Sequence, residues 1–249
     1  MMDRNTYRVF DYVLQNPSQK LHLSTTSNFS VEEKLWQRYK AYVTMLCERE
    51  GTVEHFMQYV SLDGMFQAAE YMRHGLDFNL LWDRVNQFLN DIPERSSITF
   101  IITMNNLSVT TLKNLFAGIL GLRQIYCNTY QRIWFDTPVL RTPTWQSLQL
   151  LPESYVHELE LCKTWMNDQL EKPETRFKGF KDYEVARLDR DIAWMRNGQQ
   201  LDPAFINKNK ADFYRFFNEH DRRRGTDFLK TFPEMKDWWI ECKYLANNI

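Results

Sequence analysis

Groups able to bond a ligand recur wherever an apolar stretch stops in the first part of the chain. Ser24, Thr26 and Asn28 follow Leu21-His22-Leu23, and Ser61 and Asp63 close the aromatic-rich run that begins at Phe56. Asn105 and Asn106 follow Ile98–Met104, and Asp136 follows Arg132–Phe135. Hydroxyls, amides and carboxylates in such places can serve the ribose and base of a nucleoside while apolar side chains flank its ring. At any single position helix capping is the simpler account, because Ser, Thr and Asn after a strand accept from the free N–H groups of the next helix. Four successive occurrences favour a ligand site.

Two further groups invite a carboxylate. Arg141 stands between Pro138 and Pro143, close in sequence to Asp136. A guanidinium binds a carboxylate through two parallel hydrogen bonds, so Asp136 and Arg141 are the expected substrate contacts. An internal ion pair that fixes the loop accounts for Arg141 equally well. Arg73-His74 is the second basic pair. No Gly-rich phosphate loop, Ser/His/Asp set or His/Glu metal box is visible.

The elements that must position these groups follow from periodicity. Four short apolar runs, beginning near Leu21, Val53, Ile98 and Arg132, are each followed by a stretch with apolar residues at helical spacing. Starts roughly 35 residues apart are the period of a βα repeat, and its right-handed crossover predicts parallel pairing. The run from Phe56 to Leu62 reads as a strand buried on both faces. Ligands of parallel sheets sit at the carboxyl ends of the strands, which is where the polar groups fall. The proline-rich segment 137–152 predicts a long ordered loop ending in a short strand. Beyond Pro152 the pattern is helical, over about 153–169, 182–195, 208–220 and 227–245. The expected division is therefore 1–152, an α/β unit, and 153–249, a helical extension packed upon it.

Composition bounds the rest. Of 249 residues, 43% are hydrophobic and 25% charged, an ordinary globular balance with ample length for a core. Aromatic residues reach 15%, which bulky core packing explains more readily than a stacked ligand does. Thirty-one basic residues against 32 acidic ones leave a net charge of -1, so no overall field draws nucleic acid or an acidic membrane. The basic run His220–Thr226 fits a helix end at Gly225, where cations suit the last turn. No apolar run approaches the ~20 residues of a spanning helix, and Met-Met-Asp-Arg-Asn opens without a signal-peptide core. Cys47, Cys127, Cys162 and Cys242 lie far apart, a spacing that builds neither a disulfide framework nor a local metal knuckle. Free thiols in a reducing cytoplasm are the expectation.

Several of these segments together resemble a known family. Leu-His-Leu-Ser-Thr-Thr-Ser-Asn (21–28), Tyr-Val-Ser-Leu-Asp-Gly through Glu-Tyr-Met-Arg-His-Gly-Leu-Asp-Phe (59–78) and Thr-Phe-Ile-Ile-Thr-Met-Asn-Asn-Leu-Ser (99–108) are similar to successive strand ends of radical S-adenosylmethionine (radical SAM) enzymes with a twitch domain, a type also found in phages. Phe-Asp-Thr-Pro-Val-Leu-Arg (135–141) and Arg-Arg-Gly-Thr-Asp-Phe-Leu (223–229) extend the likeness. It covers nearly the whole chain but only the later half of such an enzyme.

The resemblance implies the later half of a partial (β/α), TIM-like barrel of about four parallel strands, followed by a helical C-terminal region. It implies S-adenosylmethionine across the strand carboxyl ends, with Ser24, Thr26 and Asn28 toward the ribose, Ser61 and Asp63 at the next strand end, and Asn105 near the adenine. The family's Cys-x-x-x-Cys-x-x-Cys loop, which holds the [4Fe-4S] cluster that reduces S-adenosylmethionine, does not occur here, nor do the auxiliary cysteines of the twitch type. A cluster would have to come from a missing N-terminal half or a partner chain, and the chain alone is not expected to be active. The expected role is the truncated or split carboxyl-terminal portion of such an enzyme, walling S-adenosylmethionine and an unknown peptide or small-molecule substrate. The competing expectation is a non-catalytic binding or scaffold protein built on the half-barrel.

Overall fold

A computed structural model describes residues 4–48 and 51–249. Met1–Asp3, part of the opening that was read for a leader, lie outside them. The first part alternates helix and strand: α1 (Arg4–Gln15), β1 (His22–Ser27), α2 (Glu33–Glu48), β2 (His55–Ser61), α3 (Phe66–Met72), α4 (Phe78–Asp91), β3 (Ser96–Ile101), α5 (Leu112–Tyr126) and β4 (Ile133–Asp136). The strands form one sheet in the order β1-β2-β3-β4, and every pairing is parallel. That is the α/β repeat expected from the spacing.

Register and alternation divide the sheet into two unlike faces. Phe56, Val60, Ile98, Phe100, Ile133 and Phe135 point to one face and are buried. Helices cover them: Phe10 of α1 and Tyr39 of α2 meet Phe56, Trp82 of α4 meets Phe100, and Phe116 of α5 meets Phe135. The one polar residue this face buries in β2 is Gln58. Its amide oxygen accepts from Thr25 Oγ1 and Tyr39 Oη, and its nitrogen donates to the Thr25 and Tyr59 carbonyls, so none of its groups is left unmet.

The opposite face carries His22, Ser24 and Thr26 of β1, Met57, Tyr59 and Ser61 of β2, Ser97, Thr99 and Ile101 of β3, and Trp134 and Asp136 of β4. Ser97 and Thr99 are buried, and the others are half-buried or exposed. The expectation that β2 is buried on both faces therefore fails. Met57 and Tyr59 alternate out of the core that Phe56, Gln58 and Val60 enter, because helices cover only one side.

The segment 137–152 also departs from expectation. Its end forms three-ten turns at Thr144–Gln146 and Leu148–Leu150 rather than a strand. Its only strand-like contact lies earlier, where Met104 bridges Val139. Asn106 then clamps the loop by its backbone N–H to the Gln146 carbonyl and its amide to the Trp145 carbonyl.

The remainder is helical: α6 (Glu153–Asp168), α7 (Asp182–Asn197), α8 (Pro203–Arg224), α9 (Phe228–Thr231) and α10 (Lys236–Asn248). Gly225 stops α8 with φ 64°, as the sequence predicts, and Pro233 divides the expected helical stretch 227–245, as a proline inside a helical pattern does. Helix α7 and the end of α5 close the far edge of β4. The outward carbonyl of Ile133 accepts from Arg123 Nε and Gln131 Nε2, that of Phe135 from Arg187, and that of Thr137 from Arg190. Arg123 is itself paired through both terminal nitrogens with Glu184 of α7, and both side chains are fully buried. Among the described residues no helix is long and apolar enough to cross a membrane.

Candidate functional site

A cavity of about 320 Å³ opens at the carboxyl edge of the sheet, between the ends of β2 and β3 and helix α8. Its floor is built by Asp63, two residues past β2. One carboxylate oxygen accepts from the Thr103 backbone N–H at 2.7 Å, and the other pairs with the Arg73 guanidinium at 2.8 Å. Gly64 permits the turn that follows: a Cβ there would stand 2.7 Å from both Met72 Cε and Thr111 Oγ1. Arg73 ends α3 and reaches back over Asp63, yet its Nε is buried with no acceptor.

Asn105 lies in the same cavity wall but is committed to the backbone. Its oxygen accepts from the N–H groups of Leu107 at 2.9 Å and Ser108 at 3.2 Å, while its nitrogen donates to the Thr103 carbonyl. This is the local turn that Asn makes before a helix.

The roof comes from the helical region. Asp221 accepts from Tyr71 Oη at 2.8 Å, Thr226 Oγ1 at 2.7 Å and the Phe228 N–H at 2.7 Å. Beside it, Arg224 donates to His220 Nε2 at 2.7 Å. A guanidinium can only donate, so Nε2 offers its lone pair and the imidazole hydrogen sits on Nδ1, facing Asp221 and Thr226. Burial, then the Arg224 charge, hold the His220 pKa below its ordinary value, which agrees with a neutral ring. Burial and the bond to Asp221 raise the Tyr71 phenol, keeping it a donor. Phe217 and Tyr71 stack against each other at 5.8 Å and join the two regions.

The uncovered sheet face is the second feature. Its side chains lie in rows across the strands: Ser24, Met57 and Ser97; then Thr26, Tyr59, Thr99 and Trp134; then Ser61, Ile101 and Asp136. Ser97 and Thr99 donate to Met57 Sδ at 3.2 and 3.0 Å, and Ser97 also bonds His55 Nε2. Hydroxyls and half-buried aromatic rings thus line a surface that parallel sheets ordinarily keep covered.

The residues singled out from the sequence fall in several places. Asp63 and Asn105 share the cavity. Ser24, Thr26 and Ser61 lie on the uncovered face, together with Asp136 at its rim. Asn28 turns the chain after β1, accepting from the Ser30 N–H at 3.2 Å. Asp136 lies 3.4 Å from Arg187 and accepts from the Thr137 N–H. Arg141 is exposed, its guanidinium 6.0 Å above the Trp194 ring, so the Asp136–Arg141 pair does not form. Tyr71, His220, Arg224 and Phe217 complete the cavity and are not among the sequence-predicted site residues. A contact such as Tyr71–Asp221, 150 residues apart, leaves no local signal.

The four thiols are separately buried. Burial pushes Cys47 and Cys162 up to about 12, and raises Cys127 and Cys242 as well. Cluster ligands are thiolates, and among the described residues no three His, Cys, Asp or Glu side chains gather as a metal group. This donor set does not fit a [4Fe-4S] cluster. For an adenosyl group the fit is divided: the hydroxyls of Ser24, Thr26 and Ser61 face the open side, while the side-chain oxygens of Asn28, Asp63 and Asn105 accept from the protein itself. Compared with protein-family models, curated proteins and solved structures, the chain has no significant match.

Proposed function

We propose that this chain is the carboxyl-terminal portion of a split radical SAM-type enzyme, the later half of a partial (β/α) barrel whose earlier half comes from a partner chain. The observation that carries the reading is the uncovered face of the sheet. Sequential parallel strands with all their crossover helices on one side are the geometry of a barrel segment, whose other face belongs to the barrel interior. Rows of Ser, Thr, Met, Tyr and Trp across the strands are the layers such an interior would have. The two edges differ in the same sense. β4, with its outward carbonyls occupied by side chains, suits a final strand, and β1 has no strand on its far side among the described residues.

The cluster, and with it the radical chemistry, would be the partner's. This chain would contribute Ser24, Thr26 and Ser61 to the wall against S-adenosylmethionine, and Asp136 and Arg141 to the substrate rim. A non-catalytic binding protein is the second reading. It is favoured by the Asp63–Arg73 pair and the Asn105 turn, which occupy the strand-end groups that chemistry would need.

Anaerobic co-expression with a neighbouring reading frame that carries Cys-x-x-x-Cys-x-x-Cys tests both. A stoichiometric complex that releases 5′-deoxyadenosine from S-adenosylmethionine supports the split enzyme. A complex that binds S-adenosylmethionine without that release supports the binding protein. A frame product that does not bind this chain overturns the shared barrel.

A further inference from the structure

The cavity under α8 is built from this chain alone, and although the Asp221 carboxylate stands behind its roof, one of its lining cations pairs with no carboxylate among the described residues. One carboxylate, Asp63, and two guanidinium groups, Arg73 and Arg224, line it, while His220 is neutral. Asp63 is matched by Arg73. Arg224 meets no carboxylate among the described residues, and its one side-chain partner is the imidazole that orients it. That imidazole is fixed in turn through Thr226 and Asp221, and Asp221 through Tyr71 and the Phe228 N–H. A long cation that is positioned but not neutralised has had its freedom restricted in advance, which favours binding an anion.

Arg73 adds an independent sign. Its Nε is buried and has no acceptor. Native proteins rarely leave a buried charged donor unmet, since water or a ligand would otherwise satisfy it. Around these groups Leu107, Leu140, Met72 and Phe217 give an apolar wall, and Gln146 a neutral polar one.

We infer that this cavity binds a small molecule with an anionic head, a carboxylate or a phosphate, on an apolar body. The head meets Arg224 and Arg73, and the body lies on Phe217 and its apolar neighbours. The inference does not rest on the partner chain and is measured on the full chain by itself.

Isothermal titration with phenylacetate, phenyl phosphate and neutral 2-phenylethanol tests it, and the two anions distinguish a carboxylate from a phosphate ligand. Saturable binding of at least one anion is expected, at least tenfold tighter than the alcohol and weakened at least tenfold by Arg224→Gln. Arg224 is exposed on the last turn of its helix, so the variant is expected to keep the parent's circular dichroism. No saturable binding of either anion at millimolar concentration, an alcohol that binds as tightly, or unchanged affinity in Arg224→Gln overturns the inference.

Discussion

Replacing Arg123 by Met tests what joins the helical region to the sheet. Arg123 and Glu184 are 0% and 1% exposed, and they meet at 2.6 and 2.8 Å through both nitrogens and both oxygens. The same guanidinium donates to the Ile133 carbonyl at 3.1 Å and to the Gly179 carbonyl at 2.9 Å. Methionine would fill much of the volume but leave the Glu184 carboxylate buried, with the Lys181 N–H as its remaining hydrogen-bond donor. Removing one member of a buried pair costs ~3–5 kcal/mol, because the other keeps its desolvation penalty without its partner. For a chain of this size that is a fall in Tm of about 6–20 °C.

The second arm is the double variant Arg123→Met/Glu184→Leu, which removes both charges. It is expected to recover most of the loss, since an apolar replacement of a buried pair is often neutral. Urea denaturation followed by circular dichroism gives both values and the coupling between them. A single variant within about 1 kcal/mol of the parent, or a double variant worse than the single, would refute the assignment of this pair as the joint.

Three further outcomes follow from single positions. Asp191 is fully buried, and burial raises its pKa from 3.8 to about 6 against the opposing pull of Arg190. The folded state therefore holds its proton longer than the unfolded chain, and stability is lost as pH rises from about 3.8 to about 6. Asp191→Asn should consequently stabilise at pH 8, by on the order of 2–3 kcal/mol, and the gain should vanish by pH ~4, as read by denaturation at both pH values. Gly198→Ala should cost about 1–3 kcal/mol of stability in the same assay, because a Cβ there runs into the backbone of Gln149, which cannot swing away. Gly225→Ala, at φ 64° with open space around it, should cost only about 1 kcal/mol of backbone strain in a thermal melt.

The repeat of the fold was legible because it is local. Runs such as Ile98–Met104 followed by the helical spacing of Leu112, Leu115, Phe116 and Ile119 dictate strand then helix whatever else the chain does. Gly225 after three arginines marked a helix end for the same reason. The short strand expected near Pro152 failed because the carbonyls of Trp145 and Gln146 are taken by Asn106, a partner set by tertiary contact. Ligand-like groups at strand ends were visible, but Asn28 and Asn105 proved to be turn caps, the simpler account at each single position. Arg84, Arg123 and Arg132 are buried without having been singled out from the sequence. What they bind, carbonyls from other elements, no local pattern records.

The guanidinium and amide groups along β4 have one more effect. A parallel sheet with both margins open can add copies of itself head to tail without limit, the geometry that produces fibres. Here the outward carbonyls of β4 are already taken, so an added strand would find an open margin only at β1, and such joining would end after a single addition. The arginines that tether the helical region thereby also guard that margin against strand addition.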